Sequence, residues 1–177
     1  MEAQHIEHTL EPIFDERSRV LVLGTMPSPK SREVGFYYGH PQNRFWRVME
    51  ALFELPSHSL VENDMRRAFL LEHHIALWDV LASCTIEGAA DASIVDAISN
   101  DLTRILDAAP ITHVFTTGGK ATQLCQRMNG DMLGARNIAL TGLPSTSAAN
   151  ARMRLNQLVE AYRPFAHAVT AGNCHAK

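Results

Sequence analysis

An α/β fold built on a parallel sheet covered on both faces is what this sequence predicts, and three observations predict it. Four short, largely apolar runs, residues 20–23, 75–80, 114–117 and 138–141, are too brief for helices, and all but the second stop at glycine. Segments with helical spacing lie between them. Strands that alternate with helices are joined by crossovers and so run parallel.

Residues 9–15 read as a short helix leading into the first strand. Val20-Leu21-Val22-Leu23 then stops at Gly24, as a strand buried on both faces does. Met26-Pro27-Ser28-Pro29 cannot continue a helix, because each proline lacks an amide donor and biases the residue before it towards extended geometry. A long loop is expected. Asn43 is placed to cap a helix in which Phe45, Trp46, Val48, Met49 and Leu52 fall at amphipathic spacing. Ser59 and Glu62 form a capping box opening a helix to about residue 73, with Leu60, Met65, Phe69 and Leu70 as its apolar stripe.

After the strand at 75–80, which ends in Trp78-Asp79, a Gly/Ala/Ser-rich loop runs to about residue 91. A helical turn over 94–98 and a helix over 102–109, stopped by Pro110, follow. Gly118-Gly119 breaks the third strand ahead of a helix over about 120–128. A second loop, Gly142 to Asn150, joins the fourth strand to a final helix over about 151–162, with Pro164 beyond. In such sheets ligands bind outside the carboxyl ends of the strands. The loops after Leu23, after Asp79, at Gly118-Gly119 and from Leu143 to Asn150 all emerge at that edge.

The whole chain, 1–177, reads as one domain, long enough to bury a core without staples. Cys84, Cys125 and Cys174 lack the close spacing of a zinc ribbon or iron–sulfur cluster, so free thiols are expected. Neither cysteine nor histidine spacing calls for a metal, a metal cluster or another cofactor. The polar N-terminus and the lack of a long apolar run exclude a secretory signal and a membrane span, so a cytoplasmic protein is expected. The net charge of −3 argues against a generally basic nucleic-acid binder, yet the cations cluster. Lys30, Arg32, Arg44 and Arg47 lie in or beside the opening loop, and Arg136, Arg152 and Arg154 flank the second. If those loops meet, one face is basic.

The opening loop holds the rings Phe36-Tyr37-Tyr38, then Gly39-His40-Pro41-Gln42-Asn43. Rings in a loop are unfavourable in water, so they either pack into the core or line a pocket. Gly35-Phe36-Tyr37-Tyr38-Gly39-His40-Pro41-Gln42-Asn43-Arg44-Phe45-Trp46, together with Leu143-Pro144-Ser145-Thr146-Ser147, resembles the uracil-DNA glycosylase superfamily, most closely its hypoxanthine-DNA (deoxyinosine) glycosylase branch. The resemblance implies a three-layer α/β/α sandwich around a four-stranded parallel sheet. It also implies a monomeric enzyme of base excision repair, whose partner is DNA containing a deaminated base. That enzyme hydrolyses the N-glycosidic bond of an extruded base without cutting the backbone.

By the same resemblance Tyr38 stacks on the base, with Phe36 beside it. Asn43 offers an amide to the base edge or to water; its capping role is the alternative. Met26 stands where many members carry Asn or Asp, which favours the hypoxanthine branch and a dissociative reaction. Backbone amides over Gly24, Thr25 and Met26, with His40, would neutralise the departing base. Asp79 either contacts the base or is a satisfied carboxylate beside the packing ring of Trp78. Ser145, Thr146 and Ser147 would grip phosphates, Lys30, Arg44 and Arg152 would add charge, and Ala149 falls at the wedge position. Three other readings stand beside this one: a mismatch-specific uracil or thymine glycosylase, a catalytically silent DNA- or nucleotide-binding module, and a small-molecule hydrolase on the same fold.

Overall fold

The computed structural model describes residues 2–174, so Met1 and residues 175–177 of the expected 1–177 unit lie outside it, as does the side chain of Cys174. Its centre is a parallel sheet in the order β3-β2-β6-β7, formed by Ile75–Asp79, Val20–Gly24, His113–Thr117 and Ala139–Leu143. Every residue of β2 and β3 is buried, which is why both read as unbroken apolar runs. Helices flank this sheet in a three-layer α/β/α sandwich. Among them α3 (Asn63–Glu72) packs on β3, α5 (Gly119–Ala135) on β6 and β7, and α7 (Arg163–Cys174) on β2.

A second sheet was not expected. β1 (Ala3–Glu7), β4 (Leu81–Glu87) and β5 (Val95–Ser99) form an antiparallel sheet in the order β1-β4-β5. The helical turn expected over 94–98 is therefore strand: Ile94 and Ile98 mimic helical spacing, but the backbone of β5 pairs with β4. Residues 9–15 are not helical either, because Ile13 exchanges both backbone hydrogen bonds with Leu77 at the free edge of β3.

Other boundaries move for local reasons. Inside the opening loop sits a short helix, α1 (Pro29–Val34), with Pro29 in its first turn, where an amide is not needed, and the Ser28 hydroxyl accepting from Ser31 N. α3 starts later than its expected capping box. The carboxylate of Glu50, in α2 (Phe45–Leu52), instead accepts from His58 N and Leu60 N and holds 58–60 as a turn. α4 spans only Thr103–Leu106. α5 continues past residue 128 because Leu124, Cys125 and Leu133 lie buried along it. The final helix is two, α6 (Leu155–Ala161) and α7, with Pro164 in the first turn of the second.

From β2 the chain moves outward to β3, then crosses back to β6 on the other side of β2. The reversal opens a crevice at the carboxyl ends of β2 and β6. Among the described residues no helix is long and apolar enough to cross a membrane, and no group of three or more His, Cys, Asp or Glu could hold a metal. Cys84 and Cys125 are buried free thiols.

Candidate active site

At that crevice lies a cavity of about 350 Å³, within the range of small-molecule sites. Strand ends form its floor: Gly24 at the end of β2 with Thr25 just after it, Asp79 from β3 and Thr117 from β6. Tyr37, Tyr38 and Asn43 of the opening loop and Ser145, Thr146, Ser147 and Ala149 of the second loop border it. Ile6 of β1, Ile86 of β4 and residues 88–92 of the β4–β5 connection border it as well.

Gly24 and Asp79 are register partners, and a Cβ on Gly24 would overlap Asp79 Oδ1 and stand 3.3 Å from the Tyr38 hydroxyl. Only glycine lets those two polar groups converge above the end of β2. Tyr38 itself has φ of 52°, a costly conformation for a ring-bearing residue. Two contacts hold it there: its ring stacks on Phe45 at 4.0 Å and 11°, and its hydroxyl lies 2.8 Å from Thr117 Oγ1. Tyr38 borders the cavity, whereas Phe45 behind it does not. Burial, reinforced by the Asp79 carboxylate, pushes the Tyr38 phenol well above its ordinary pKa despite the Thr117 hydrogen bond.

Asn43 joins the two loops. The N-cap position of α2 falls on Arg44, one residue later than expected, and Asn43 Oδ1 reaches past it to accept from the first helical amide, Phe45 N, at 2.9 Å, and from Thr146 Oγ1 at 2.9 Å. Capping and site roles are thus compatible: the carbonyl end is engaged, and among the described residues no acceptor takes Nδ2. Arg44, next in the chain, turns inward. Its guanidinium donates to the carbonyls of Thr146, Ser147, Asn150 and Met153.

Arg44 therefore clamps the second loop, where direct contact with DNA was expected. Thr146 is 1 % exposed and its hydroxyl is committed to Asn43, so it does not offer the expected phosphate contact. Ser145 Oγ and Ser147 Oγ each accept a backbone N–H, from Ser147 and Ala149, and keep their own protons to donate. Phe36 is core: it packs at 5.9 Å from Trp46, away from the cavity. His40 also lies outside the cavity, exposed, with Nδ1 accepting from Gln42 N at 3.1 Å. Lys30 pairs with Glu33 on α1, and Arg152 and Ala149 are both exposed. Arg136 closes α5 at the far end of the sheet, paired with Asp107.

Two neighbours escaped sequence reasoning. Asp91 Oδ2 accepts from Thr25 Oγ1 at 3.1 Å; burial raises the Asp91 carboxyl, the Thr25 hydrogen bond opposes this, and Asp79 adds to the rise. His8, beyond the end of β1, places Nε2 2.8 Å from Asp79 Oδ2, with both side chains almost wholly buried. No local motif marks either residue; both are identified only by what the fold sets against them.

The model of the uracil DNA glycosylase superfamily matches residues 11–167. The chain belongs to that superfamily. Over 175 residues it is 30% identical to a protein named hypoxanthine DNA glycosylase from Methanosarcina acetivorans, covering 92% of this chain and 99% of the relative. A protein of the same name from Methanosarcina barkeri is 33% identical over 109 residues, 62% of this chain and 68% of that one. A solution NMR structure of a Methanosarcina acetivorans protein, provisionally described as a uracil DNA glycosylase, superposes with a TM-score of 0.77 at 27% identity. It covers 93% of this chain and 99% of its own. Superfamily membership makes DNA the substrate and hydrolysis of a base–sugar bond the reaction.

Removing the clamp should loosen the second loop. Arg44→Ala leaves inward carbonyls without donors and is expected to lower stability by about 2–4 kcal/mol, with faster amide exchange over residues 144–153. Unchanged exchange there would show that the loop holds its shape alone.

Burial also raises the phenols of Tyr37 and Tyr162 and the thiols of Cys84 and Cys125, the last to about 11. For each of these groups the unfolded chain loses its proton first, so stability is full well below the ordinary thiol value of about 8.5 and falls as the pH rises from the ordinary thiol and phenol values towards the raised native ones. Denaturant titrations from neutral to strongly alkaline pH, followed together with tyrosinate absorbance, should show stability falling before tyrosinate forms in the native protein.

Proposed function

We infer that the chain is a monofunctional DNA glycosylase that hydrolyses the N-glycosidic bond of a deaminated base, chiefly hypoxanthine, and acts as a monomer in base excision repair. One observation carries this reading. Tyr38, Asn43 and Asp79 border a single cavity sized for one base, in a superfamily member whose relatives include two proteins named hypoxanthine DNA glycosylase.

In this reading the extruded base lies against Tyr38, whose neutral phenol adds no charge to the pocket. Asp79 Oδ1 and the Asn43 Nδ2 donor face its edge or the attacking water. Met26 supplies no base, so cleavage of the C1′–N bond runs ahead of attack: the electron pair leaves with the base, water adds to C1′, and its proton goes to the departing base. Fixed dipoles that favour the separated charges then provide most of the acceleration. Backbone amides over residues 24–26 are the candidates on the leaving-group side. The carboxylates of Asp79 and Asp91 add the negative potential that favours a cationic sugar. At the rim of the cavity the hydroxyls of Ser145 and Ser147, with the charge of Arg152, hold the DNA backbone, and the small side chain of Ala149 fills the gap that the extruded base leaves in the stack.

A duplex holding one inosine should be converted to an abasic site that hot alkali cuts. Asn43→Ala, shown to be folded by its unfolding transition, should react about 100-fold more slowly in single turnover. Asn43→Asp keeps the cap and loses the donor, so it should be equally slow; near wild-type rates for Asn43→Asp would return Asn43 to capping alone. Excision of uracil without hypoxanthine rejects the proposed substrate, and tight binding of all duplexes without excision rejects catalysis.

A further inference from the structure

His8 precedes the residues that the superfamily model matches, yet it reaches the floor of the site. Its backbone N–H donates to Ala82 O at 2.8 Å, extending the pairing of β1 with β4. Its imidazole is 2 % exposed, edge-on to Trp78 and tilted against Tyr37 at ring distances of 6.2 Å. With Asp79 as the carboxylate, the proton between them sits on His8 Nε2, which donates to Oδ2.

The consequence falls on the other oxygen. A carboxylate turns easily about its last torsion, whose minima are broad. His8 fixes that rotation by holding Oδ2, and so fixes Oδ1 over Gly24 at the cavity. Among the described residues no donor reaches Oδ1. An acceptor of a buried side chain that opens on the cavity and has no protein donor is placed to take an N–H from whatever enters.

We propose that His8 is a positioning residue for base selection: it pins Asp79 so that Oδ1 accepts the ring N–H beside the carbonyl of the extruded base. This rests on the proposed glycosylase function and adds a discrimination to it. Hypoxanthine carries that N–H at N1, whereas adenine, the base it derives from, carries a lone pair there. Opposed to a carboxylate oxygen held in place by His8, the adenine lone pair leaves two acceptors facing each other with no proton between them once the base displaces water, the kind of mismatch that rejects a substrate strongly. The N-terminal strand thus belongs to the site, through a side chain that need not touch the substrate.

The test is a functional-group cycle on duplexes carrying inosine or N1-methylinosine, which lacks the N–H. In single turnover the wild type should favour inosine by about 100-fold. Asp79→Ala should collapse that ratio towards one. His8→Phe keeps the ring and loses the donor, and should lower the ratio about tenfold; His8→Gln, which restores an amide donor, should recover most of it. A purely structural His8 would slow both substrates alike and leave the ratio unchanged. An unchanged ratio in folded His8→Phe overturns the role of His8, and an unchanged ratio in Asp79→Ala overturns the contact.

A measurement on the wild type covers a His8→Phe that does not fold. The imidazole ¹⁵N resonances of His8 should shift with free hypoxanthine and not with N1-methylhypoxanthine; equal responses overturn the proposal. A wild type inactive on inosine duplexes fails the glycosylase reading itself and takes this inference with it, whereas an active wild type with unchanged ratios fails the inference alone.

Discussion

The site depends on a single residue's grip on a distant loop. Arg44 opens α2, and its guanidinium collects four carbonyls from Thr146 to Met153, more than a hundred positions along the chain. A planar fork with five N–H groups suits that task, and a lysine could not reproduce it. Beside it, Asn43 fastens the same loop through Thr146 while capping its own helix. The two sequence motifs are therefore one structural unit, and the cavity between them exists because these contacts fix the distance.

The strand ends supply the other half. Parallel strands finish in step, so Gly24, Asp79 and Thr117 arrive at one edge together, and the side chains that follow from that register converge without further design. The absent side chain of Gly24 admits Asp79 and Tyr38 to the same space. A polar floor beneath an aromatic wall orients a flat, hydrogen-bonding ligand and gives little to an aliphatic one. With methionine at position 26, the burden of catalysis shifts from a general base to fixed charges and dipoles, which a rigid floor is suited to supply.

Much of this was legible in the sequence, and the parts that were not share a cause. The strands of the parallel sheet are covered on both faces and announce themselves as apolar runs, so the parallel sheet and its ligand-bearing edge followed, whereas the strand order came only with the fold. β1 buries one residue in five and carries no such signal. β5 buries none of its five residues, and its apolar residues fall at a spacing that imitates a helix. Within the opening loop the residues themselves gave no means of choosing among three rings; the family resemblance pointed to Tyr38 and set Phe36 beside it. The left-handed turn at Tyr38 sends that ring onto Phe45 while Phe36 enters the core against Trp46. Arg44 read as a surface cation because nothing local shows the carbonyls awaiting it. His8 and Asp91 acquire meaning only from Asp79 and Thr25, whose positions beside them are products of the whole fold.

The central claim is that the cavity at the carboxyl edge of the parallel sheet holds a single extruded base. Amide and side-chain NMR shifts on titration with free hypoxanthine test it most directly. The account predicts changes at Gly24, Thr25, Tyr38, Asn43, Asp79 and Thr117, and much smaller ones with adenine. Changes confined to the shallow groove beside Gln126, Leu140 and Gly142, or none at concentrations that inhibit excision, would contradict it.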